Sequence, residues 1–164
     1  MNLNGAHLHL MLVHFPIAGI FLTVLLLLAA WVLRNETLKL AGLCFVVLMG
    51  FAVWAAHETG EMAAGVVRGM SGIDGSDIRV HAQAAHWALR ALGFNALLSA
   101  FGLFRAWKKK KLPQWLFITV TILAIWGSTV VARVGYLGGM IHHPEAKSDF
   151  VVPTPESAPV TPEK

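Results

Sequence analysis

The residues best equipped for chemistry are eight histidines: His7, His9, His14, His57, His81, His86, His142 and His143. Imidazole titrates near neutrality, is the commonest protein metal ligand and serves as an axial ligand to haem iron. Helical spacing sorts them, because residues three, four and seven apart share a face. Gly50, Trp54, His57 and Glu61 fall on one face if their helix continues past residue 56. His86, Arg90 and Gly93 share another. Gly135, Gly138, Gly139 and His142 form a stripe along which something flat can approach the backbone, either a second helix or a porphyrin. His81 and His86 are five apart and point in different directions, so they cannot serve one small site without a helix break. Arg90 and Arg133 stand in runs otherwise nearly uncharged. Each either snorkels to lipid headgroups or pairs with an anionic group such as a haem propionate or Glu61. Ser71, Ser76, Ser99 and Ser128 have no base in a persuasive context, and there is no P-loop or dinucleotide motif, which argues against an independent hydrolase.

The elements that must position these groups are membrane spans. Of 164 residues, 56% are apolar and only 13% charged, against roughly 45–50% and 25% in soluble domains. A hydrocarbon core of about 30 Å needs roughly 20 apolar helical residues, and the stretches 10–33, 38–56, 84–104 and 115–132 qualify. The first has no basic n-region or cleavage site and reads as a span rather than a signal peptide. The fold expected is an all-α integral membrane four-helix bundle over residues 1–143, followed by a disordered Pro-rich tail, 144–164. Residues 58–67 read as helix continuing past the second span, the segment 69–75 breaks it, and Asp74 or Ser76 caps the helix that becomes span three. Trp87, Trp107 and Trp115 sit near span ends, whereas Trp54 and Trp126 lie deeper and are expected to pack. The single cysteine, Cys44, reads as a small buried apolar side chain and can form no internal disulfide.

Charge sets the expected orientation. The two short loops carry Arg34 and Lys39, and Arg105 with Lys108, Lys109, Lys110 and Lys111, whereas the first nine residues hold no Lys or Arg. Loop two sets Arg68 and Arg79 against Glu58, Glu61, Asp74 and Asp77. By the positive-inside rule the short loops are cytoplasmic and both termini are extracytoplasmic. Every histidine then lies at the outward end of a span or just beyond it, and antiparallel helices gather those ends. Beside a span, the lysine run reads as a topology signal rather than a nucleic-acid site.

Longer strings add a resemblance. His9-Leu-Met-Leu-Val-His14-Phe15-Pro16-Ile17-Ala18, Thr59-Gly60-Glu61-Met62-Ala63, Ile78-Arg-Val-His81 and Gly135-Tyr-Leu-Gly138-Gly139-Met-Ile-His142 together resemble an uncharacterised family of bacterial four-helix membrane proteins, a domain of unknown function. The resemblance spans about residues 9–143. It implies a place in the bacterial inner membrane, and relatives joined to cytochrome c or rubredoxin-like modules imply a redox setting. Carried over by position, it selects His14, Glu61, His81 and His142. This chain follows His142 with His143-Pro144 where a Gly-rich end is more usual, which leaves open which histidine takes part.

Three functional readings follow. In the first, b-type haem is held near the outward face by two of His14, His57, His86 and His142, with Arg90 and Arg133 at the propionates and Gly135 and Gly139 admitting the ring. Such a subunit passes electrons between quinol and a periplasmic cytochrome or other redox protein. In the second, His14, Glu61, His81 and His142 hold an iron, copper or zinc ion, as mixed nitrogen and oxygen donors do. In the third, the chain is a structural subunit of a membrane complex, with homo- or hetero-oligomers open.

Overall fold

The computed structural model describes residues 4–70, 72–143 and 145, so the expected tail 144–164, Glu145 excepted, lies outside the described residues. The described residues form helices and no strand: α1 (Gly5–Leu12), α2 (His14–Val32), α3 (Glu36–Val67), α4 (Gly75–Trp107) and α5 (Gln114–His142).

Local chemistry sets the helix ends. Asn4 caps α1 by accepting from the His7 backbone N–H at 2.9 Å, and Asn35 caps α3 by accepting from that of Leu38 at 3.1 Å. Asp74, one of the two caps expected, holds the start of α4 by accepting from the Ser76 N–H at 2.8 Å. Between α3 and α4 the chain reverses through Gly69 and Gly72, at φ 94° and 86°, a region open to glycine without steric cost. The helix before residue 10 was not expected. Pro16, in the first turn of α2, has no N–H for the Leu12 carbonyl, and the helix interrupts at Val13. The piece so freed, α1, packs on α3.

The four long elements, counting α1 with α2, are each long and apolar enough to cross a membrane. Neighbours in space run α2, α3, α4, α5 and back to α2, so each helix packs against the next in sequence and the last closes on the first. At one end lie Arg34, Lys39 and the lysine run (the lysine end); the other carries the histidines (the histidine end). At 1.5 Å per residue α3 and α4 are about 48–50 Å long, well beyond a hydrocarbon core of about 30 Å. The outer face of the bundle is apolar, with Leu25, Leu48, Leu97 and Ile122 among many exposed side chains. Trp54 and Trp126 point outward, 53% and 50% exposed, and Cys44 is exposed too. These three depart from expectation, and they lie on helices apolar enough to cross a membrane, where a lipid solvent would give an apolar side chain no cause to turn inward.

What holds the helices together is close approach. Buried clusters centre on Leu27, Leu43, Phe117 and Val120 in one half and on Ile20, Ala88 and Leu92 in the other. Between α3 and α4, a Cβ on Gly50 would lie 2.6 Å from the Ala96 Cβ; between α4 and α5, one on Gly127 would lie 2.8 Å from Leu92 Cδ1. Gly50→Ala must therefore push α3 from α4, and we expect it to destabilise the bundle by about 1–3 kcal/mol. Gly65, with open space around it, provides the control: Gly65→Ala should leave stability equal or higher, since alanine is the better helix former by about 0.5–1 kcal/mol. Thermal unfolding in detergent reads both, and equal midpoints for Gly50→Ala and the unaltered protein would refute glycine-controlled packing.

Candidate metal site and histidine-lined cavity

At the histidine end α3, α4 and α5 run on and, with α1, surround a cavity of about 920 Å³, within the size range of small-molecule and cofactor sites. Six histidines line it: His9, His14, His57, His81, His142 and His143. Between them lie small apolar side chains such as Ala56, Ala85 and Val134, together with Glu61, Arg68 and Arg79. The four residues selected by the family resemblance (His14, Glu61, His81 and His142) all face this one space. So do Gly135 and Gly139.

Three side chains converge at the edge of the cavity. His57 and Glu61, one turn apart on α3, meet His86 from α4, with one potential ligand atom from each lying within 4.8 Å of the others. Among the described residues this is the one group of three histidine, cysteine or carboxylate side chains so placed. The shared face of His57 and Glu61 was expected; their junction with His86 depends on how α3 is set against α4 and had no sequence signal. The His57 and His86 rings meet edge to face with centroids 4.6 Å apart. That leaves no room for a macrocycle between them and suits one small ion. His57 follows Glu36, and His86 precedes Trp107, by about 21 residues of helix each, so both stand about 32 Å from the lysine end. That distance is one hydrocarbon thickness.

His81 and His86 do point apart, as their spacing requires. His81 faces the cavity and α5, where its Nδ1 lies 3.1 Å from the Val134 carbonyl. His86 lines a separate small cleft with Gln83, Trp87 and Arg90. Arg90 holds its guanidinium 5.2 Å over the Trp87 ring, and Arg133 is exposed and lines neither space. Neither expected arginine thus faces the cavity; Arg68 and Arg79 do, and loop composition had hidden them among nearby acids. The glycine stripe has divided duties. A Cβ on Gly135 would reach Ile17 at 3.4 Å and one on Gly138 the His81 ring at 3.0 Å, while Gly139 faces open space. The flat group against Gly138 is an imidazole. Beyond α5, His143 Nδ1 lies 2.8 Å from Glu145 Oε1, and this hydrogen bond holds the Glu145 carboxyl below its ordinary pKa.

Hydrogen bonds fix the tautomers. A carbonyl only accepts, so His81 donates Nδ1–H to Val134, and His14 donates Nδ1–H to Leu10 at 2.7 Å. In each neutral ring Nε2 then carries the lone pair, the arrangement that metal-binding histidines adopt. Nitrogen-15 spectra of histidine-labelled protein, recorded where the rings are neutral, should show His14 and His81 protonated on Nδ1. Protonation of both on Nε2 would contradict this geometry. No family model matches the chain, and no curated protein or solved structure is similar enough to match it.

Proposed function

We propose that this is a multi-pass membrane protein that binds a divalent transition-metal ion through His57, Glu61 and His86, beside a histidine-lined cavity on the extracytoplasmic side. The observation that carries the reading is the convergence of two imidazoles and one carboxylate within 4.8 Å. Two histidines and a glutamate are a donor set of catalytic zinc, and two histidines with one carboxylate are that of non-haem iron(II). Both leave coordination positions open. With His57 and Glu61 on the cavity wall, an added ligand entering from the cavity can reach those positions. The orientation rests on the charge asymmetry of the loops, and a bacterial inner membrane on the family resemblance.

A cobalt(II) titration of chelator-stripped protein in detergent, followed by visible absorption and calorimetry, tests the site. One ion per chain is expected, with affinity lowered about tenfold or more in His57→Ala, His86→Ala and Glu61→Gln. Unchanged affinity in all three variants would sink the proposal. For orientation, in a Cys44→Ala background, Ser76→Cys should react with a membrane-impermeant maleimide in intact cells and Asn35→Cys should not; the reverse pattern inverts the topology.

One observation favours a second reading, a b-type haem subunit working between quinol and a periplasmic redox protein. The cavity has the volume for a large cofactor and presents His14, His81 and His142 to it, with Arg68 and Arg79 as cationic partners. Haem there would supply one-electron transfer. Dithionite-reduced protein from haem-replete cells should then show a Soret band and sharp α and β bands; their absence removes this reading.

A further inference from the structure

His9 and His81 are held differently from the His57 group, and what they share points to a second ligand. They come from α1 and α4, are half-buried, and face the same cavity with ring centroids 6.5 Å apart. Each ring is seated on a glycine of a third helix. A Cβ on Gly60 of α3 would lie 3.2 Å from His9 Cε1, and one on Gly138 of α5 would lie 3.0 Å from His81 Cε1. Each ring is also anchored through Nδ1. His81 donates to the Val134 carbonyl. His9 Nδ1 lies 3.2 Å from Thr59 Oγ1. The Thr59 hydroxyl spends its own hydrogen on the Ala55 and Ala56 carbonyls, at 2.9 and 3.1 Å, so its oxygen accepts from His9.

The consequence is chemical. Both neutral rings keep an Nε2 lone pair and neither has an N–H to give the other. Two acceptors that cannot hydrogen-bond to each other are thus set side by side on the wall of one cavity, where a cation or a proton donor can lie between them. We propose that His9 and His81 form a second metal site, distinct from His57–Glu61–His86, that takes a soft monovalent ion, copper(I), between two imidazoles. Metal–nitrogen bonds of about 2 Å suit ring centroids separated by 6.5 Å. The two neutral donors bring no negative charge, which suits a singly charged ion satisfied by two ligands better than a divalent ion seeking four. The glycine seats and Nδ1 anchors hold the rings so that little freedom is lost on binding.

Silver(I) is the redox-inert probe, added to full-length, chelator-stripped Cys44→Ala protein in chloride-free detergent buffer. Calorimetry should show one tight ion per chain, with affinity weakened about tenfold or more in His9→Ala and His81→Ala and retained in His57→Ala and Glu61→Gln. In protein with both His9 and His81 present, silver should shift the Nε2 nitrogen resonances of those two rings, a measurement that does not depend on how the alanine variants fold. Thr59→Val, which removes the His9 anchor, should weaken silver while leaving cobalt unaffected. Silver affinity unchanged in both His9→Ala and His81→Ala, or Nε2 shifts confined to other histidines, overturns the proposal. Loss of cobalt binding with silver binding retained, or the converse, shows which of the two sites has failed.

Discussion

Inside a bilayer, helices gain nothing by hiding apolar side chains from one another, because the lipid is as apolar as they are. Association must come from close fit, and the rest of this structure depends on that fit. Gly50 lets α3 meet α4 at Ala96, and Gly127 lets α5 meet α4 at Leu92. Polar contacts reinforce the fit where the bundle is driest: Asn95, 1% exposed, donates from Nδ2 to the Val120 carbonyl at 3.2 Å and ties α4 to α5. The same constraint explains the outer surface. Trp54, Trp126 and Cys44 face outward, as a lipid solvent would leave them.

The cavity exists where the fit is relaxed. Toward the lysine end, Gly42 and Gly102 receive Leu27 and Leu43 from the neighbouring helices. Toward the histidine end Gly60 and Gly138 receive the rings of His9 and His81 instead. One device, the absent Cβ, thus serves packing at one end and ring placement at the other. The break at Val13 contributes equally. By freeing α1 to lie on α3 it brings His9 over Gly60 and Thr59.

The parts of the fold that the sequence made legible are those that depend on one helix at a time. Apolar length reveals the four spans, and a one-turn spacing puts His57 and Glu61 on one face. The five-residue step from His81 to His86 separates them in the structure as it does on a helical wheel. What was not legible depends on two helices together. The meeting of His57 with His86, and of His9 with His81, follows from the depth and rotation at which glycines let the helices settle, which no single-helix period encodes. Neither Arg90 nor Arg133 lines the cavity, and the sequence leaves this open for a related reason: a cation near a span end can turn toward the bundle or away, and its period alone does not say which.

α3 and α4 are longer than a hydrocarbon core is thick, and the His57–His86 junction stands about one such thickness from the lysine end. This has an electrical meaning. A transmembrane potential acts on a charge in proportion to the share of the field it crosses, about 2.3 kcal/mol per unit charge for the full crossing of 100 mV. With the hydrocarbon core starting at the lysine end, a cation reaching this junction from the histidine side would cross almost none of that field. On the proposed metal-binding reading, occupancy would then be set by concentration and by the ligands themselves, and would be the same whether the membrane is energised or discharged.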